Sequence, residues 1–345
     1  MSVETYTATE LTSMTLEPGW ADADPDRRPL LVVDLWDADG LSPAAAVRVC
    51  EWLATQPVPC IGVVDRLEST ATPGAGTKLG PLELLAESMD VLVDRGGELD
   101  RLVASIRMHP VASAVLVQVL RATGDLNLID ALTVESLAYA TLQSGREFAA
   151  WLSGRPRMPV PAGGDDVVLL NRTGDRLEIV LNDPDNRNAL CVPMRDALTD
   201  AFKLVRVDTE IRHVEISGNG PCFSAGGDLG EFGTAVDTAN AHRVRMLRMP
   251  ARYLAGCGER YTFRVHGACI GAGIELPAFA GRISAAKDTF FQLPEVAMGL
   301  IPGAGGCVSI PRRIGRQRTA YMAILGDRIS AERALAWGLV DAIEN

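Results

Sequence analysis

Two glutamates stand in surroundings that are otherwise glycine-rich and apolar. Glu275 and Glu295 both lie in residues 266–306, which read HGACIGAGIELPAFAGRISAAKDTFFQLPEVAMGLIPGAGG. A lone glutamate is usually a solvated surface group or an ion-pair partner. Two carboxylates in this context instead indicate a general acid and a general base, because burial and mutual repulsion separate the pKa values of such a pair.

Two glycine-rich loops each follow a predicted strand. They read SGNGPCFSAGGD, before Leu229, and HGACIGAG, before Ile274. Glycine lets the backbone approach a ligand closely and adopt positive φ, so main-chain N–H groups can point at one atom. Either loop alone favours a plain turn between strand and helix. Two such loops at helix starts favour an oxyanion hole made of two N–H groups.

Composition excludes several classes of protein. The 345 residues carry a formal net charge of −11, which gives no electrostatic support for binding nucleic acid or an anionic membrane. The seven cysteines never form a C-x-x-C pair and no histidine lies at metal-ligand spacing from another, which argues against a disulfide framework and a zinc site. There is no signal-peptide pattern and no apolar run of ~18 residues. We therefore expect a soluble, cytoplasmic protein.

The first half combines alternating strands and helices with a helical module. Buried strands are predicted over 29–36, 58–65 and 89–94, with a helix over 43–55, which implies parallel pairing. Apolar residues then recur at helical spacing over 99–152. Proline and glycine crowd the stretch that follows. We divide the chain into a polar, irregular lead-in at 1–28, a first domain at 29–153, a linker at 154–166 and a second domain at 167–345.

The second half predicts an α/β fold with layered helices. It opens with two alternating segments around the turn RTGD, which is a hairpin signal. Strands and helices then alternate repeatedly. A helix is predicted over 314–329, and Ser330 is expected to cap the helix that follows.

Four segments of the second half resemble the signature segments of the crotonase superfamily, the enoyl-CoA hydratases and isomerases. They are LNDPDNRNAL, CFSAGGDL, HGACIGAGIEL and LPEVAMGLIPGAGG, in the family's order and spacing, and the resemblance covers residues 166–345. It implies the crotonase (ClpP/crotonase-like) fold of stacked β-β-α units. It also implies that no metal or redox cofactor is required, with coenzyme A entering as part of a thioester substrate.

The resemblance assigns roles to particular residues. The N–H groups of Gly227 and Ala272 would form the oxyanion hole that holds the thioester oxygen as enolate charge develops. Glu275 would orient and deprotonate a water molecule, and Glu295 would protonate the α-carbon. Seven further residues match the backbone that cradles the adenine and pantetheine of coenzyme A: Arg187, Asn188, Ala189, Leu190, Ala225, Asp228 and Leu229.

The first half also bears a partial resemblance to the family. Residues 109–156 are similar to the helical module with which family members end, and the preceding strands resemble a shrunken strand core. No A-G-x-D loop, G-x-G-x-E helix or catalytic glutamate is found there. We expect a degenerate, inactive copy of the same fold that lends its helices to the second half; the alternative is an unrelated helical domain.

The function implied by the glutamate pair is hydration or dehydration of an α,β-unsaturated acyl-CoA thioester. Alternatives in the same fold are a double-bond isomerase and a thioester hydrolase or decarboxylase. From a different class, the chain could be a non-catalytic subunit that binds an acyl thioester. The sequence does not show which acyl group the substrate has. Nor does it show whether coenzyme A or a carrier protein carries that acyl group. A homo-oligomer, a trimer in most members, is the family expectation.

Overall fold

The computed structural model describes residues 3–16, 27–65, 79–156 and 166–344. Its first part consists of β1 (Thr5–Thr7), α1 (Ala8–Met14), β2 (Leu31–Asp34), α2 (Pro43–Thr55), β3 (Cys60–Val64), α3 (Pro81–Ser88) and β4 (Val91–Asp94). The four strands form a parallel sheet in the order β1-β2-β3-β4. The predicted strands and parallel pairing are therefore present, and α3 is a helix that the sequence analysis did not predict.

Part of the predicted irregular lead-in has regular structure, so that prediction was wrong. β1 pairs with β2, with Thr5 opposite Val32. Thr7 Oγ1 accepts from the N–H of Glu10, whose side chain accepts from the N–H of Thr7, and this capping box starts α1. A seven-residue helix and a three-residue strand show too little periodicity to be recognised. Residues 1–2 and 17–26 of that segment lie outside the described residues.

Side-chain alternation gives the first sheet two buried faces. Leu31 and Val33 of β2 pack in a cluster with residues of α1, α2 and α3. Val32 of β2 and Ile61 of β3 instead join the main core, which extends through the rest of the molecule. The two halves of the chain therefore share one hydrophobic core. Residues 157–165, most of the predicted linker, lie outside the described residues.

Helical spacing over 99–152 corresponds to four helices: α4 (Leu99–Met108), α5 (Pro110–Ala122), α6 (Leu128–Gln143) and α7 (Arg146–Ser153). The side chain of Asn127 caps α6 by accepting from the N–H groups of Ile129 and Asp130.

Within the described residues no single helix is long and apolar enough to cross a membrane; only α4 and α5 together, bent by 108°, reach that length and composition.

The second part alternates strands and helices, which confirms the α/β class. Its elements are β5 (Val168–Thr173), β6 (Arg176–Leu181), α8 (Val192–Val207), β7 (His213–Gly218), α9 (Thr238–Arg248), α10 (Ala251–Leu254), β8 (Tyr261–Val265), β9 (Ala268–Ile270), α11 (Ala272–Glu275), β10 (Arg282–Ala286), β11 (Phe290–Gln292), α12 (Gly306–Leu325), β12 (Ile329–Ser330), α13 (Ala331–Trp337) and β13 (Ala342–Glu344). Six strands form a sheet in the order β13-β10-β8-β7-β6-β5, parallel except for the β5–β6 hairpin. A smaller sheet has the order β12-β11-β9.

Helix α12 is the element on which both halves pack. It contacts α4, α5 and α6 of the helical module and α11 of the second part. It begins at Gly306, well before the predicted start at Ile314, and is kinked at Gly315, whose φ is +80°. The prediction began at Ile314, after Pro311, because a proline within a helical pattern is typical of a helix break.

A buried carboxylate joins the first sheet to the helices. Asp90, 2% exposed, precedes β4 and accepts from Arg121 of α5 and, at 3.1 Å, from Arg316 of α12. It also accepts from the N–H of Cys60 at the start of β3. One side chain thus holds together β3, α5 and α12, which are distant from one another in sequence.

Replacing Asp90→Asn should destabilise the protein by about 3–5 kcal/mol, because two partly buried guanidinium groups lose their counter-charge. Urea unfolding at neutral pH measures this free energy. The control is Asp327→Asn, which breaks the exposed pair with Arg101 and should cost much less. Equal losses for the two variants would contradict the role given to Asp90.

Candidate active site

Glu275 is fully enclosed at the end of the single turn of α11. Gly271, with φ +49°, turns the chain from β9 into that helix. Glu275 is 2% exposed, and its Oε2 accepts from the N–H of Ala304 at 2.7 Å and of Gly306 at 2.9 Å. Burial raises the pKa of Glu275 to about 7, while these two hydrogen bonds oppose the rise. Its carboxylate is therefore poised to exchange a proton near neutral pH.

Glu295 reaches the same point from the turn that follows β11. A Cβ atom added to Gly271 would lie 2.5 Å from Glu295 Oε1 and 3.6 Å from Glu275 Oε1, so the two carboxyl groups meet over this glycine. Glu295 is 9% exposed, and among the described residues its buried Oε2 has no hydrogen-bond partner. Burial first, and the charge of Glu275 second, raise the pKa of Glu295 well above its usual range.

A third carboxylate, from the helical module, completes the group. Glu135 of α6 is 2% exposed; its Oε1 accepts from Gly305 N at 2.8 Å and its Oε2 from Cys307 N at 2.9 Å. Burial, and then the charge of Glu275, raise the pKa of Glu135. The sequence analysis missed this residue. The sequence did carry a signal for it: Glu135 is an ionisable residue on the same helix face as Ala131 and Tyr139, which lie one turn before it and one turn after it.

The two N–H groups predicted for the oxyanion hole lie beside the glutamates. Gly227 and Ala272 line the same cleft as Glu275 and Glu295. Ala272 is the first residue of α11, where a backbone N–H has no partner within its helix. Throughout the described residues, no acceptor is hydrogen-bonded to either N–H. Two unused donors and two carboxyl groups thus face one space.

The two segments predicted to cradle coenzyme A lie side by side. Ala225 N donates to Arg187 O at 3.0 Å, and Leu190 N donates to Gly226 O at 2.7 Å. Asn188 is buried, and its side chain donates to the carbonyl groups of the 219–223 loop, so it shapes the backbone. Of the seven predicted residues, Leu190 and Asp228 line the cleft; Arg187, Asn188, Ala189, Ala225 and Leu229 do not.

The cleft has a volume of about 530 Å³ and is walled on one side by the helical module. Tyr139 and Gln143 of α6 face it together with Arg245 of α9. The Arg245 guanidinium lies 4.7 Å from the Tyr139 ring centre and donates to Gln143 and to Ser136. These contacts hold α9 against α6.

Across the described residues, no cluster of three His, Cys, Asp or Glu is arranged to hold a metal ion.

Comparison with known proteins places the second half in a family. The family model described as enoyl-CoA hydratase/isomerase matches residues 175–344. Mevalonyl-coenzyme A hydratase of Beauveria bassiana is 32% identical over 175 residues, covering 48% of this chain and 62% of that protein. The 2,3-dehydroadipyl-CoA hydratase of Escherichia coli is 31% identical over 176 residues, covering 51% of this chain and 68% of that protein.

A solved enoyl-CoA hydratase from Thermoplasma volcanium is 33% identical, with 52% of this chain and 71% of that chain covered and a TM-score of 0.47. The chain belongs to the enoyl-CoA hydratase/isomerase family, and the predicted membership of the crotonase superfamily is confirmed. It spans 62% of the length of the Beauveria relative.

Replacing Glu295→Gln should stabilise the protein at alkaline pH. The pKa of Glu295 is raised on folding, so between the ordinary glutamate range and that raised value the folded state holds more protons than the unfolded chain. The free energy of unfolding therefore falls as pH rises through this window, and glutamine, which cannot ionise, avoids the loss.

Thermal unfolding at about pH 5 and about pH 8 measures this effect. The Tm of Glu295→Gln should exceed that of the wild type at the higher pH, with the difference shrinking at the lower one. Glu210→Gln changes an exposed carboxylate and should show no such pH dependence. A difference that is equal at both pH values would contradict the assignment.

Proposed function

We propose that this chain adds water across the α,β double bond of an acyl-CoA thioester, and removes it in the reverse direction. One observation carries the proposal: two buried carboxyl groups meet over Gly271, beside the unused N–H groups of Gly227 and Ala272. An enolate intermediate needs two such donors for its oxygen and a proton source for its carbon. All four groups face the same cleft.

The two N–H groups would bind the thioester oxygen. As a nucleophile adds to the β-carbon, negative charge moves onto that oxygen, and donors already in place stabilise it without reorganising. Gly227 comes from the loop after β7 and Ala272 from the start of α11. Their separation in the chain lets them approach one oxygen from two sides.

The different surroundings of the glutamates support their division of labour. Two N–H groups stabilise the charged form of Glu275, which therefore releases its proton more readily than Glu295 and suits a general base. Glu295 Oε2 has no hydrogen-bond partner among the described residues, and with its raised pKa Glu295 retains its proton, which suits a general acid. Water gives its hydroxide to the β-carbon and its proton to Glu275, and Glu295 gives a proton to the α-carbon.

Coenzyme A would lie along the paired segments 187–190 and 225–229. Their backbones are fixed to each other by the Ala225 N to Arg187 O and Leu190 N to Gly226 O bonds, which leaves a preformed edge beside the oxyanion donors. The proposed chemistry needs only protons, water and the thioester, without a metal or redox cofactor. A carrier-protein thioester would present the same pantetheine arm.

The first half would be a degenerate copy of the fold that supplies part of the active site. Its all-parallel sheet and four-helix module support this origin, and α6 contributes Glu135, Tyr139 and Gln143 around the cleft. Assembly as a homo-oligomer and a cytoplasmic location remain predictions from the sequence.

The direct test is turnover of crotonyl-CoA by the purified chain, followed as loss of the conjugated thioester absorbance. Glu275→Gln and Glu295→Gln should each lower kcat by about 10²–10⁴-fold, the usual contribution of a general acid or base. Glu210→Gln, an exposed carboxylate of the same half, should leave kcat unchanged.

The product separates the alternatives. A 3-hydroxyacyl-CoA supports hydration, whereas a shifted double bond identifies an isomerase, and free coenzyme A or carbon dioxide identifies a hydrolase or decarboxylase. Binding of butyryl-CoA without turnover of any tested thioester would contradict catalysis and favour a non-catalytic acyl-thioester-binding subunit.

A further inference from the structure

Four successive N–H groups at the start of α12 are shared between two buried carboxylates. Those of Ala304 and Gly306 donate to Glu275, and those of Gly305 and Cys307 donate to Glu135. The N-terminal end of a helix favours negative charge, and here it accommodates two such groups. Glu275 belongs to the catalytic half and Glu135 to the helical module.

Both oxygens of the Glu135 carboxyl group are bonded to one stretch of backbone. Each oxygen accepts one N–H, from Gly305 and from Cys307, so the carboxyl group fixes the position of this stretch. Glu135 is buried and is not among the residues that line the cleft, so it does not touch the substrate. Any effect on the reaction must pass through the residues that it holds.

Two further α6 residues, Tyr139 and Gln143, lie one and two turns after Glu135 and line this side of the cleft. Tyr139 packs against Gly303, where an added Cβ would lie 2.3 Å from the ring, and Gln143 accepts from Arg245. The ionisable groups that surround Glu135 come from five elements: Glu275 of α11, Glu295 after β11, Cys307 of α12, Arg245 of α9 and Tyr139 of α6 itself.

We propose that Glu135 is a positioning residue for Glu275: it fixes residues 304–307, and the N–H groups of Ala304 and Gly306 orient the Glu275 carboxyl group. The helical module thereby controls the geometry of the general base and the hydrogen bonds that favour its charged form. This inference rests on the proposed function only for the identity of Glu275 as the base.

The test compares Glu135→Gln with Glu147→Gln. Glu147 lies in the same module and also accepts two N–H groups at a helix start, those of Val111 and Ala112 in α5. Glutamine at 135 turns an NH₂ group towards one of the N–H donors, so residues 304–307 lose one of the two bonds that fix them. We expect kcat for crotonyl-CoA to fall about tenfold in Glu135→Gln, with KM within about twofold.

The pH dependence distinguishes positioning from a general packing role. When residues 304–307 are displaced, the N–H bonds of Ala304 and Gly306 that lower the pKa of Glu275 are weakened, so its pKa rises and the acid limb of kcat/KM moves to higher pH. Glu147→Gln should leave both kcat and the acid limb as in the wild type. Identical pH profiles for the two variants would overturn the proposal.

A second readout does not need activity. The carboxyl carbon of Glu275 can be titrated by NMR in protein labelled at glutamate Cδ, with its resonance assigned from its absence in Glu275→Gln. Its midpoint should move to higher pH in Glu135→Gln and stay unchanged in Glu147→Gln; an unchanged midpoint in both overturns the inference even if the chain hydrates crotonyl-CoA. If Glu135→Gln does not fold, Glu135→Asp keeps the carboxyl group but shortens its reach, and should lower kcat and move the acid limb to higher pH; wild-type kcat in this variant overturns the proposal.

Discussion

The N-terminal end of α12 is the constraint on which the rest of the site depends. Its N–H groups donate hydrogen bonds to two carboxyl groups that approach from different halves of the chain. Without these bonds neither Glu275 nor Glu135 could be buried beside the other. Because α12 also packs against α4, α5 and α6, the helical module and the catalytic half are fixed by the same element. The catalytic geometry is thus inseparable from the packing of the first half.

Hydrogen bonds, more than burial, distinguish the two glutamates. Enclosure raises the pKa of both Glu275 and Glu295, but Glu275 Oε2 accepts from two N–H groups, whereas Glu295 Oε2 has no hydrogen-bond partner among the described residues. Two chemically identical side chains thereby differ in how readily they release a proton. The unpartnered Glu295 oxygen is a cost to stability that the surrounding core must offset.

The parts of the site within one motif could be predicted from sequence, whereas the contact between halves could not. Glu275, Glu295, Gly227 and Ala272 lie in three of the four signature segments, whose order is itself the signal. Glu135 is 170 residues from Gly305, and nothing local indicates that pairing. The strand and helix periods likewise predicted most elements of the α/β fold. They failed for β1 and α1, where short length leaves no period, and placed the start of α12 too late, after Pro311, because a proline resembles a helix break.

A structure of the chain with bound butyryl-CoA, which resembles the substrate but has no double bond to hydrate, tests the central claim most directly. The account predicts the thioester oxygen about 3 Å from both Gly227 N and Ala272 N, with the carboxyl groups of Glu275 and Glu295 adjacent to the β- and α-carbons. A thioester oxygen that contacts neither N–H, or an acyl chain directed away from both glutamates, would contradict it.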